Sequence, residues 1–161
     1  MGIFSKLFGS SSKSSPQGNA SGLNNKNVCD ICYALGCLAG QVGAYDTCYV
    51  QVKVDSSKVM VQAMLDKDYC VRRGITNLNT PKDLSKLGVP KSVANFIPTL
   101  GGEFSDNPYF ILEVNTPHNG DAPSLDEITN AILKSQRTVS LAVNYKVIAA
   151  TNGILMIQIS D

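Results

Sequence analysis

Residues 138–160 constrain the fold of this chain more than any other stretch, because their apolar residues recur with period two. Val139, Leu141, Val143, Tyr145, Val147 and Ala149 share one parity, and Ser140, Ala142, Asn144, Lys146 and Ile148 the other. That period puts one set on the buried face of a sheet. Asn152-Gly153 marks a turn, and the pair first suggests a two-residue type I′ loop. In that register Gln158 faces Val147 and Ser160 faces Tyr145, which interrupts the apolar face. A three-residue loop of Thr151, Asn152 and Gly153 instead sets Ala149 opposite Leu155, Val147 opposite Ile157 and Tyr145 opposite Ile159. A one-residue slip turns every side chain over, so burial favours the second register. The expectation is a long terminal β-hairpin with a three-residue loop and Gly153 in the left-handed region.

The remainder supplies further elements of both kinds. Asn27 caps a helix over residues 28–40, with Asp30 in its first turn and Gly40 at its end. Its apolar residues lie on most sides, so it reads as buried, and Gly36 inside it marks a close packing point. Cys48, Val50, Val52 and Val54 alternate with polar residues in a strand over residues 45–55. Asp55-Ser56-Ser57 turns the chain into a second strand, where Val59, Val61, Ala63 and Leu65 alternate with Lys58, Met60, Gln62 and Met64, a helix through Met64 being the alternative. Residues 66–79 read as irregular. Thr80-Pro81-Lys82-Asp83 opens a helical stretch that Gly88 and Pro90 split at about 81–87 and 90–97. A loop over 98–108, a strand over 109–114 and a second loop over 115–123 follow. Ser124 and Glu127 form a capping box for a helix to about Gln136. The order α-β-β-α-β-α-β-β, with short connections, predicts an α+β fold: one antiparallel sheet of about five strands with helices packed on one face.

The chain of 161 residues divides into three parts on composition: 1–9, 10–27 and 28–161. Residues 1–9 form a short amphipathic segment. On a helical wheel Ile3, Phe4, Leu7 and Phe8 fall within an arc of about 140°, with Lys6 opposite. Two aromatics and a lysine on so short a segment suit a lipid–water interface or a partner groove. N-myristoylation at Gly2 fits poorly, because Lys6 stands where the motif takes Ser or Thr. Residues 10–27, rich in Ser, Asn and Gly, read as a disordered linker. Residues 28–161 are the globular domain. The first 27 residues carry Lys6, Lys13 and Lys26 and no acid, whereas the whole chain has a net charge of +1. That balance carries no nucleic-acid signature. No apolar run is long enough for a spanning helix, and no secretory signal is evident. The expected location is the cytoplasm, peripheral at the inner face of a membrane.

Candidate chemistry centres on Cys29, Cys32 and Cys37, three of five cysteines. Their spacing is the one cluster of soft-ligand type, for zinc or an iron–sulfur group, with Cys48, Cys70 or His118 as a fourth ligand. Cys29 at a helix N-terminus also suggests a redox thiol. Against both, a free cysteine behaves as a small hydrophobe in a core. His118 reads as a surface-loop histidine, and Arg72-Arg73 with Lys67 and Tyr69 as a solvated basic turn. The sequence favours a non-enzymatic binding or structural adaptor protein, without cofactor. Ile3, Phe4, Lys6, Leu7 and Phe8 would tether it to membrane lipid or a membrane-associated protein. Its alternative is a cysteine-dependent metal-binding or thiol-redox protein. Self-assembly through an edge strand is a third route to function.

Overall fold

Val28–Gly43 has no polar side that water could take, and helix α1 is accordingly sunk into the molecule: 14 of its 16 residues are buried. The side chain of Asn27 caps it by accepting from the backbone N–H of Cys29 at 2.7 Å. The helix runs three residues past Gly40 to Gly43, because buried packing outweighs the weak helix propensity of glycine. The computed structural model describes residues 27–106, 108–118 and 122–161. The amphipathic segment over 1–9 and most of the linker lie outside the described residues.

After α1 come strands β1 (Cys48–Val54) and β2 (Lys58–Asp66), then three short helices, α2 (Lys67–Arg72), α3 (Pro81–Lys86) and α4 (Lys91–Phe96), and a 3-10 turn over Ile97–Leu100. Strands β3 (Glu103–Asp106) and β4 (Tyr109–Pro117), helix α5 (Leu125–Gln136) and the hairpin β5 (Asn144–Thr151) and β6 (Ile154–Ser160) complete the chain. The six strands form one antiparallel sheet in the order β3-β4-β2-β1-β6-β5. The α+β architecture with a terminal hairpin is thus as expected from the sequence, with six strands in place of about five.

The differences have identifiable causes. Strand β3 occupies part of the expected 98–108 loop; it is only four residues long and pairs through backbone groups with β4, so it leaves no periodic trace. Helix α2 lies in the stretch expected to be irregular, started by the Asp66 side chain on the backbone N–H of Tyr69. Strand β4 runs on to Pro117 because it pairs along the whole of β2. Strand β5 begins at Asn144 rather than Val139, and Leu141 is exposed rather than inward.

The hairpin loop is a correction. Thr151 pairs with Ile154, so the loop is the two residues Asn152 and Gly153, both with positive φ (51° and 74°), as a type I′ turn requires. Yet Val147 still faces Ile157 and Tyr145 faces Ile159. A bulge between Val147 and Ala149 reconciles the two demands: Ile148 is the extra residue, and it shifts parity so that Ala149 pairs with Met156 rather than Leu155. Local turn chemistry and burial are both satisfied, at different points of one strand. Deleting Ile148, which is 44% exposed, is therefore expected to leave a regular hairpin and cost no more than about 1 kcal/mol in a denaturant titration. Deleting Met156 from the partner strand instead should cost several times more, because it removes a paired residue and turns Ile157 and Ile159 out of register with both β1 and β5. Equal losses for the two deletions would contradict the bulge.

Helices α1 and α5 lie on one side of the sheet and pack against each other, and α1 also contacts α4 and the 3-10 turn. The strand residues facing them are buried: Val50 and Val52, Val59 to Leu65 in alternation, Phe110, Leu112 and Val114, and Leu155, Ile157 and Ile159. Leu84, Val93, Ile97 and Leu100 extend this core. No helix among the described residues is long and apolar enough to cross a membrane.

Candidate interaction surface

The same alternation that fills the core leaves a second set of side chains on the far side of the sheet. These positions are only half-buried in β1, β2, β4 and β6, since no helix of the described residues covers them. The strand register arranges them in three rows. One row runs Asn115, Met60, Lys53, Ile154, Thr151. The middle row runs Glu103, Glu113, Gln62, Gln51, Met156, Ala149. The third runs Ser105, Ile111, Met64, Tyr49, Gln158, Lys146. Beyond it Asp66 pairs with Tyr109, and at the other end Lys58 pairs with Pro117.

Two features of this face set it apart from an ordinary solvated sheet surface. Met60, Met64 and Met156 all project from it, whereas a solvated strand face is normally polar. Ile111 lies beside Met64, and Tyr49 meets Tyr109 edge-to-face with ring centroids 6.5 Å apart. Ile154 and Tyr109 are 36% and 41% exposed. Methionine is flexible and polarizable and recurs on surfaces that bind other proteins. Interleaved with these is an ordered polar ladder. Asn115 Nδ2 donates to Glu113 Oε1 at 2.8 Å and Gln62 Nε2 donates to Glu113 Oε2 at 2.5 Å. These two bonds hold the Glu113 carboxyl below the usual carboxylate range, so it stands as a fixed negative charge.

The cysteines lie on the other side of the molecule. Cys32, Cys37, Cys48 and Cys70 are wholly buried free thiols, and Cys29 is half-buried in the first turn of α1, its Sγ 3.9 Å from the carbonyl oxygen of Glu127. Burial, then the neighbouring Glu127 and Asp30 carboxylates, push the Cys29 thiol up. Burial pushes Cys32 well up and raises Cys37, Cys48 and Cys70 to about 12. These shifts run opposite to the lowered value a redox thiol uses. Among the described residues no three His, Cys, Asp or Glu side chains come together in metal-binding fashion. An open cleft of about 370 Å³ lies beside Cys29, between the first turns of α1 and α5, with Asn27, Asp30, Tyr33 and Lys134 on its walls.

His118 is held to the β1–β2 turn: its backbone N–H donates to Ser57 O at 3.0 Å, and Nε2 lies 2.9 Å from Asp55 O. Arg73 lies over the Tyr69 ring, which stacks on Tyr45 at 4.6 Å, and Lys67 lies over Phe110. The basic turn is therefore part of an aromatic ladder. The sheet face itself was missed by reading motifs. Its signal was present as the outward parity of β1 and β2, where Tyr49, Gln51, Met60, Gln62 and Met64 stand in place of a charged surface. No protein-family model matches the chain, and no curated protein or solved structure matches it either.

Proposed function

We propose that this chain is a non-enzymatic binding protein. The domain presents its uncovered sheet face to a protein partner, and Ile3, Phe4, Lys6, Leu7 and Phe8 hold it at a membrane surface. The observation that carries this reading is the placement of Met60, Met64 and Met156 with Tyr49, Ile111 and Ile154 on one face that no helix of the described residues covers. The face spans all six strands of the sheet. It carries Glu103 and Glu113 as well as Lys53 and Lys146, a mixture that suits neither a nucleic-acid backbone nor an anionic bilayer. Amide, aromatic and thioether groups in alternation are what a protein surface meets best.

A photo-crosslinking side chain at Gln51, in the middle row, tests the face within the full chain in the cells that make it. Discrete protein adducts are expected that disappear when Met64→Lys is added, with none from the same probe at the exposed Lys82. Adducts equal at both positions, or none at Gln51, would overturn the reading. The tether is tested by co-sedimentation with anionic vesicles. The full chain is expected to pellet, and replacing Ile3, Phe4, Leu7 and Phe8 by serine to lower the bound fraction at least tenfold, without changing the melting temperature.

A further inference from the structure

The distribution of charge on the uncovered face says more about its occupant. On the outer strands β3 and β4 this face carries Glu103 and Glu113, which lie on one half. Lys53 on β1 and Lys146 on β5 lie on the other. Between them β2 is balanced, with Lys58 at one end and Asp66 at the other. The boundary falls between β2 and β1, the middle of the six-stranded order. We infer that the face docks on a second copy of this chain, face to face, about a two-fold axis that runs along the strands between β1 and β2. This deepens the reading above, on which it rests.

Such an axis exchanges β1 with β2, β4 with β6 and β3 with β5, and leaves each row over the same row of the other copy. The acidic half of one copy then lies over the basic half of the other, and this occurs twice by symmetry. An axis across the strands would lay Glu103 and Glu113 over their own copies, which like-charge repulsion forbids. The residues beside the strand-parallel axis fit the same demand. Gln51 and Gln62 are paired across β1 and β2 in the middle row. Gln51 of one copy is brought over Gln62 of the other, twice by symmetry, and an amide, being donor and acceptor at once, can bond to another amide. On one side of them Tyr49 of one copy is brought over Met64 of the other, twice by symmetry, and on the other side Met60 is brought over the aliphatic stem of Lys53, which gives the interface an apolar centre. The size also fits. Six strands about 4.8 Å apart, over six residues of about 3.3 Å rise, give a flat patch of about 600 Å² before side-chain relief. Each partner of a standard interface buries about 800 Å² of accessible surface.

Sedimentation equilibrium of the full chain, from about 1 to 200 μM, tests this. The expected mass rises from 17.2 kDa to twice that value. Two charge-reversed chains make the test specific: Glu103→Lys with Glu113→Lys, and Lys53→Glu with Lys146→Glu. Each alone is expected to bind itself at least 100-fold more weakly than the native chain. An equimolar mixture should form a heterodimer within about tenfold of native affinity, an outcome that misfolded variants cannot produce. A native chain that stays at 17.2 kDa at the highest concentration, or a mixture that fails to associate, overturns the inference. If that chain still gives Gln51 adducts to other proteins, the binding reading stands and only the second copy falls. With no Gln51 adducts at all, both fall.

Discussion

Raising the pH from 8 to 10 is expected to remove about 4 kcal/mol of folding stability through Cys37, Cys48 and Cys70. Burial holds these three thiols protonated to about 12, against an ordinary value of 9.0. The folded values are raised, so between 9 and 12 the unfolded chain has already released protons that the folded chain keeps. Their stabilisation is complete below pH 9 and is lost as the pH climbs towards 12. At pH 10 each thiol accounts for about 1.4 kcal/mol of the loss. The whole stability of a domain this size is only about 5–15 kcal/mol. Cys32 acts in the same direction. Urea titrations under reducing conditions at pH 8, 9 and 10 measure the effect. A chain with Cys37→Ala, Cys48→Ala and Cys70→Ala should be less stable at pH 8 but lose about 4 kcal/mol less between pH 8 and 10. Parallel pH dependence in the two chains would show that these thiols are not the groups responsible.

The location of those thiols shows how far sequence reading reached. Five cysteines look like chemistry when spacing alone is read, and the burial of Cys32 and Cys37 follows only once α1 is known to be enclosed by the sheet, α5, α4 and the 3-10 turn. Helix starts were legible because each is encoded within a few residues. Asn27, Thr80 and Ser124 cap the helices expected of them, and the Ser124–Glu127 box is formed in both directions. Strands β1, β2 and β6 were legible from alternation. Strand β3 was not, because its four residues are specified by pairing with β4 and not by their own pattern. The hairpin misled in an instructive way. Asn152-Gly153 and the apolar face point to different registers, and the chain obeys both by inserting a bulge at Ile148. The candidate surface was half legible. The outward parity of β1 and β2 was readable, but β1 joins β6 across more than a hundred residues, as in the pair Cys48 and Ile159. The charge division between the two halves depends on that strand order.

Substituting Gly40 by alanine is expected to cost about 2–3 kcal/mol, and most of that cost should vanish when one oxygen atom is removed from Tyr145. Gly36 and Gly40 stand one helical turn apart on α1, and both face the α5 side of the core. A Cβ at Gly40 would run into the Tyr145 hydroxyl first and lie 2.7 Å from Val139 Cγ2. The tyrosine is not free to retreat. Its hydroxyl donates to the Gly36 carbonyl at 2.9 Å and lies 3.3 Å from Ser135 Oγ, and Tyr145 itself is fixed opposite Ile159 in the hairpin. The small residues of α1 therefore allow β5 to reach over the helix and tie it down. Tyr145→Phe alone should cost about 1 kcal/mol, the value of one partly buried hydrogen bond. With Tyr145→Phe in place, Gly40→Ala should cost only about 1 kcal/mol more, the remaining crowding being with Val139. The double-mutant cycle in urea is thus expected to show a coupling of about 1–2 kcal/mol. Strict additivity would mean that the helix and strand adjust independently, and that the phenol oxygen is not what excludes a side chain at Gly40.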